Sequence, residues 1–300
     1  RSPAMPCPEC RQLTTHLFRG VDDLVNALRL AAEETERGVL SRVAARELSN
    51  AEQQALDSSL SSGALPNQVQ YRFKCEVCGD RFSLAANATN GEGGWTREGD
   101  DVPSPIDLNS PKDAAAWEES AMQKRPWRAD FFEHIATEIA AAPGRGRILE
   151  LGSGPGFLAR QLLERLPGAT MHLLDQSNAM HSLARERLGE LAARATFLTA
   201  SFKEPDWPDR LGPYDFVVTL QAVHELRHKR HALPLHRQVR SVLAPGGVYL
   251  MADHFCGPGG MANDQLYLRI DEQQAALREA GFTHVTELLR EGGLVLHRAA

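Results

Sequence analysis

The chain has 300 residues, 42% hydrophobic and 24% charged, the composition of a soluble globular protein long enough for two ordinary domains. A formal charge of −6 without a long basic run argues against a dedicated nucleic-acid binder. No apolar run reaches the roughly 20 residues a bilayer crossing needs, and "RSPAMPCPEC" lacks the charged start and apolar middle of a signal peptide. The sequence therefore reads as cytoplasmic, with its five cysteines as thiols or metal ligands before disulfides. Arg1–Ala4, ahead of Met5, read as an addition to the natural start and are set aside from the fold reading.

The first region, residues 5–95, opens with Cys7-x-x-Cys10 and closes with Cys75-x-x-Cys78, 64 residues apart. Two such pairs can complete a tetrahedral four-sulfur site, which favours structural Zn²⁺; a redox dithiol or unligated thiols remain the alternatives. Pro8 and Gly79 suit the tight turns of zinc-ribbon knuckles, so the region is zinc-ribbon-like, although the gap exceeds ordinary ribbon spacing. Between the pairs, Val21, Leu24, Val25, Leu28 and Ala31/Ala32 recur at helical spacing. Ser49 with Glu52 forms a capping-box pattern for a second helix. The flanks "YRFK" and "DRFSL" alternate as a hairpin. The expected module is helical with a hairpin, closed by metal. The run "NATNGEGGWTREGDDVPSPIDLNSPK" is rich in Gly, Pro, Asp, Asn and Ser, so most of it, and residues 96–112 in particular, read as linker.

From residue 113 to 300 helical and apolar segments alternate. "AAAWEESAMQKRPWRADFFEHIATEIAA" is helical in period and broken by Pro126. The strands "RILEL", "TMHLLD", "TFLTA", "YDFVVTL", "GVYLMADHF", "HVTELLRE" and "LVLHRAA" follow, most of them separated by helices. That alternation predicts an α/β, doubly wound, mostly parallel sheet. Only "REGG" lies between the last two strands, too short for a crossover, so the final strand runs antiparallel.

"ILELGSGPG" places three glycines in a turn between a strand and a helix, where a backbone free of Cβ atoms can approach a ligand beside free helix N–H groups. Phe157 stands where the dinucleotide fingerprint has its third glycine, and Glu150 precedes the turn, which is wrong for a pyrophosphate. Asp175, nineteen residues after Gly156, is in place to hold ribose hydroxyls. A ribose-bearing nucleoside with a cationic tail fits, and S-adenosylmethionine (SAM) is such a ligand. Together with "LLDQSNAM", "YDFVVTLQAVHEL" and "VLAPGGVYLMADH", the turn makes residues 145–255 resemble a class I SAM-dependent methyltransferase. The resemblance implies seven strands in order 3-2-1-4-5-7-6. It also implies that Gly152, Ser153, Gly154 and Gly156 with Glu150 serve the methionine end, Asp175 the ribose, Gln176 and Met180 the adenosine, and Gln221 the space beneath the sulfonium. Where many members carry an acid after the third strand, this chain has Ser201 and Phe202, a hydroxyl and a ring for the adenine.

On the acceptor side, His224 and His254 are the candidate bases, and in the helical segment before the first strand Trp127 and Arg128 are candidate substrate contacts, Trp127 as an aromatic wall and Arg128 as the partner of a carboxylate of SAM or substrate. No long insertion follows the fifth strand, which points to a small-molecule acceptor. An RNA or protein acceptor docked by the zinc module, a SAM-binding protein without transfer, and a different use of SAM stay open. Cys256 stands alone and is expected as a small buried apolar residue.

Overall fold

The computed structural model describes residues 7–43, 68–142, 146–209 and 211–300. Two units are present: Arg1–Pro105 with Ala262–Leu266, and Ile106–Met261 with Tyr267–Ala300. Among the described residues no helix is long and apolar enough to cross a membrane.

In the first unit, strands β1 (His16–Leu17), β2 (Leu40–Arg42), β3 (Gln68–Cys75), β4 (Arg81–Asn87) and β5 (Gly93–Arg97) form one antiparallel sheet in order β1-β5-β4-β3-β2. Helix α1 (Val21–Glu36) precedes β2 in the chain. The alternating residues Val69, Tyr71, Phe73 and Cys75 of β3 are buried, as are Phe82, Leu84 and Ala86 of β4 and Trp95 of β5. Trp95 stacks on Phe73 with ring centroids 5.4 Å apart.

Three expectations change here. Among the described residues the module is mainly sheet, because β1, β2 and β5 extend the β3–β4 hairpin. The glycines of "GEGGW" build a strand: a Cβ on Gly94 would fall 2.6 Å from the His16 carbonyl oxygen, so glycine here permits close pairing of β1 and β5. Helix α1 buries Leu24, Ala27, Ala31 and Glu34 and leaves Val21 and Val25 exposed, a rotation of the expected face. The second helix expected from Ser49 lies outside the described residues.

The second unit begins with α2 (Pro111–Lys124), capped by the Ser110 hydroxyl accepting from the Asp113 N–H, and α3 (Arg128–Ala140), with Pro126 in the break between them. Strand β6 (Arg147–Leu151) then opens the sequence α4 (Phe157–Arg165), β7 (Thr170–Asp175), α5 (Asn178–Leu188), β8 (Ala195–Thr199), β9 (Tyr214–Leu220), α6 (Ala232–Val242), β10 (Leu243–His254), α7 (Ile270–Glu279), β11 (Val285–Glu291) and β12 (Leu294–Ala299). The sheet order is β11-β12-β10-β9-β6-β7-β8, which in its own strand numbering is the expected 3-2-1-4-5-7-6. Only β12 runs antiparallel to its neighbours.

Strands β6, β9 and β10 are apolar on both faces, as a sheet covered on both sides requires. Ile148, Leu173, Phe216 and Leu250 pack with Phe131, Ile135, Leu158 and Leu162 from α3 and α4. On the other face, Leu149, Val217, Tyr249 and Met251 pack with Leu235, Val239 and Leu277 from α6 and α7. Each such side chain contributes about 1.5–3 kcal/mol by leaving water. The central strand β6 pairs with β7 on one side and β9 on the other, so the strand order reverses beside it. The crevice beyond the carboxyl ends of these strands is where open α/β sheets take ligands.

Candidate active site

The turn after β6 is built for close approach. Gly152, Gly154 and Gly156 hold φ of +65°, +52° and +77°, values that other residues adopt only with strain. A Cβ on Gly152 would lie 2.4 Å from the Ala222 Cβ, and Phe202 stands 3.5 Å from the same point. The Gly152 and Ser153 N–H groups both donate to the Leu174 carbonyl, at 2.8 and 3.2 Å, which ties the turn to β7.

Asp175, at the end of β7, accepts from the Gly154 N–H at 2.8 Å with one oxygen and from the Ser177 N–H at 2.8 Å with the other. These bonds orient the carboxylate. Burial nevertheless pushes its pKa up, the backbone donors opposing. Ser177 caps α5 by accepting from the Met180 N–H at 3.1 Å. Met180 itself is buried and Gln176 exposed.

Glu150 and Arg128 dominate the electrostatics of the turn. Glu150 is 3% exposed and its Oε2 has no hydrogen-bond partner. Burial raises its pKa well above the carboxylate range, helped by nearby Asp175 and opposed by Arg128. Arg128 is 5% exposed, and its Nε and Nη1 are buried without a partner. Its guanidinium sits 5.4 Å from the Trp117 ring centre and 5.9 Å from those of Phe132 and Phe157. Burial brings its pKa down to about 10, so it stays charged at neutral pH. An acid and a base, each buried and not bonded to one another, are costly unless something with both charges joins them. The Ser153 hydroxyl is a further buried orphan at this turn.

Beyond β9 and β10 the histidines converge. Gln221 follows β9 at φ +56° in the left-handed region, an outlier for a side chain with a Cβ. Its amide lies 2.9 Å from His254 Nε2, and His254 Nδ1 lies 3.2 Å from the Gly293 carbonyl oxygen. A proton on Nδ1 satisfies both contacts: Nδ1–H donates to Gly293 and Nε2 accepts from the amide. Burial pulls His254 down to about 4, with the charge of His224 adding to the effect, so the ring is neutral and its lone pair is already used.

His224 sits in the 3-10 turn Val223–Leu226. Its Nδ1–H donates to Asp253 Oδ1 at 2.6 Å, and its backbone N–H to Asp253 Oδ2 at 2.8 Å. Burial opposes a positive charge there, but Asp253 and Glu225 outweigh it and raise the pKa to about 9. The Nε2 atom faces Glu225 Oε1 at 3.4 Å. Of the two histidines, His224 is therefore the one equipped to exchange a proton, and Asp253 orients it.

Tyr267 completes the cluster, its ring 5.6 Å from that of His224 and 5.8 Å from that of His254. Sequence reading missed it: "DQLYLRI" is a connecting segment without a motif. Glu225 was equally silent. Trp127 packs its indole on Gly292, where a Cβ would lie 2.2 Å from Cε2, so it buttresses the β11–β12 turn. Ser201 and Phe202 follow β8, both half-buried. Cys256, expected as buried, is half-buried in an isolated bridge with Met261, because the chain leaves the sheet after β10.

In the first unit the Sγ atoms of Cys7, Cys10, Cys75 and Cys78 all lie within 4.8 Å of one another. Left-handed Gly79 donates to the Cys75 carbonyl at 2.9 Å, the tight turn that aims both sulfurs of the second pair one way. Arg97 donates to Cys10 Sγ at 3.5 Å.

Comparison with known proteins agrees with this geometry. Residues 148–247 match the family described as methyltransferase domain. An O-methyltransferase family protein from Burkholderia thailandensis superposes with a TM-score of 0.54 at 17% identity, over 63% of this chain and 60% of that one, a likeness of fold. The second unit is a class I SAM-dependent methyltransferase domain. Among relatives, malonyl-acyl-carrier-protein O-methyltransferase of Geobacter sulfurreducens is 31% identical over 46% of this chain and 56% of its own length. Demethylmenaquinone methyltransferase of Thermus thermophilus is 32% identical over 37% of this chain and 49% of its own. The chain thus spans about half the length of these relatives.

Proposed function

We propose that the protein transfers the methyl group of SAM to a small-molecule acceptor. The observation that carries this reading is the pair of buried, mutually unbonded ionisable groups at the glycine turn. Glu150 offers a carboxylate for a cation, and Arg128 offers two N–H groups for a carboxylate. The amino-acid end of SAM carries both. Asp175 would hold the ribose hydroxyls, and Phe202 would lie against the adenosine, with Gly152 bare so that the ligand can come close. When bound, SAM supplies an activated methyl group, so the chain has mainly to position the acceptor and exclude water.

His224, aligned by Asp253, accepts a proton from an acceptor that arrives protonated. Tyr267 and His254 wall the acceptor, and the Gln221 amide fixes His254. The small-molecule acceptor draws support from the relatives, whose names specify a malonyl group on acyl-carrier protein and demethylmenaquinone.

Cys7, Cys10, Cys75 and Cys78 would hold Zn²⁺ as a structural ion. Thiolates about 2.3 Å from a shared ion stand under 4 Å apart at tetrahedral angles, a spacing the observed cluster accommodates. Four thiols gathered without a disulfide also support a reducing, cytoplasmic setting.

Calorimetry with S-adenosylhomocysteine (SAH), followed by mass spectrometry of acceptors incubated with SAM, tests the proposal. Micromolar SAH binding and a 14-dalton gain on an acceptor are expected; uptake of NAD or ATP in place of SAH would overturn it.

A further inference from the structure

The turn between α2 and α3 carries a charge that the cofactor reading leaves unused. Arg125 caps the C-terminus of α2, where Pro126 ends the helix, and its carbonyl accepts from the Arg128 N–H at 3.2 Å. It is half-buried, and among the described residues its guanidinium has neither an ion pair nor a hydrogen bond.

Its location follows from the contacts of the turn. Trp127 lies on Gly292, and the carbonyl of Gly293 meets His254 Nδ1 at 3.2 Å. The turn is thereby pinned beside the histidine cluster and not only beside the glycine turn. The charge of Arg125 reaches His254, where it disfavours a second positive charge, and Tyr267, where it eases a negative one. Arg128 is buried within the electrostatic reach of Glu150, where it can take a carboxylate. Arg125 is half-buried, in the turn held beside the histidine cluster.

We infer that the acceptor is an acid whose carboxylate is held by Arg125 beside Tyr267 and His254. This rests on the methyl-transfer reading and narrows it to a substrate class. A guanidinium fork matches a carboxylate with two parallel N–H donors. A phosphate dianion fits less well, since Asp253 and Glu225 both border His224 in the same cluster and repel a second negative charge.

The test uses the full chain saturated with SAH. Benzoate, salicylate and malonate are titrated calorimetrically against benzamide, salicylamide and malonamide. At least one acid is expected to bind tenfold or more tightly than its amide. Arg125→Gln should remove that preference, and Arg125→Lys should keep part of it. In both variants SAH affinity should stay within twofold of the parent, which reports that the fold and cofactor site are intact. Equal binding of acids and amides, no binding of any acid, or acid affinity unchanged in Arg125→Gln would each overturn the inference. So would a large loss of SAH affinity in Arg125→Gln, which would move Arg125 to the cofactor. Absence of SAH binding by the parent protein would instead strike the methyl-transfer reading on which the inference rests.

Discussion

The two units solve the problem of a stable core differently. The methyltransferase domain buries apolar side chains on both faces of its sheet, in two clusters. Among its described residues the first unit has one cluster, and two of its buried members, Cys10 and Cys75, are also metal-ligand candidates. A large sheet gains enough from burial to stand alone, whereas a small one gains folding free energy from an ion. Chemistry divides the same way: gathered thiols in the first unit, buried carboxylates and histidines beside a glycine turn in the second.

Substitutions should separate the two strategies. The largest effect is expected from Cys75→Ser, which should lose the metal and unfold the first unit while SAH binding persists. Metal analysis with circular dichroism reads it, and full retention of zinc would discredit the four-sulfur site. His224→Ala should cost about 10²–10⁴ in methyl transfer to a protonated acceptor, with SAH affinity unchanged. The pH profile sharpens this. His224 must be neutral to accept a proton, and its pKa is about 9, so the rate should climb about tenfold per pH unit from 7 toward 9 and then level. A rate flat across that range would remove His224 as the base.

Asp175→Ala should weaken SAM binding by about 1–3 kcal/mol, the loss expected when charge-assisted hydrogen bonds go, with unchanged zinc content. A further prediction concerns acid stability. His236 is fully buried and burial lowers its pKa to about 3, with Asp253 opposing and His297 assisting. A histidine depressed in the folded state costs nothing above its unfolded pKa near 6.5. Below that the unfolded chain alone takes the proton, so stability falls by about 1.4 kcal/mol per pH unit down to about 3. His224 acts oppositely: raised to about 9, it contributes stability that is complete below 6.5 and is lost as pH rises through 9. Denaturant melts of the parent and His236→Leu between pH 4 and 7 should show a shallower acid slope in the variant; identical slopes would refute the assignment.

Much of the second unit was legible because its signals are local. Strand β6 was read with the observed bounds, since apolar strands, a three-glycine turn and Pro126 are decided by a residue and its neighbours. The four cysteines announced themselves by spacing. The first unit was read less well because composition misled: the glycines before Trp95 resemble a linker until the close approach of β1 is seen.

The sequence by itself determined the alternation of strands and helices, the glycine turn and the two cysteine pairs, because each depends on periodicity, backbone freedom or ligand spacing within a short stretch; the sheet order came only from the resemblance to a known family. Only the tertiary structure decided that Asp253 and Glu225 raise the pKa of His224 while burial depresses that of His254, that Tyr267 stands beside both, and that Arg128 is buried where Arg125 is half-buried. Those outcomes depend on burial and on charges brought together from distant segments. His224 and Asp253 lie 29 positions apart, and only folding places their atoms 2.6 Å from each other.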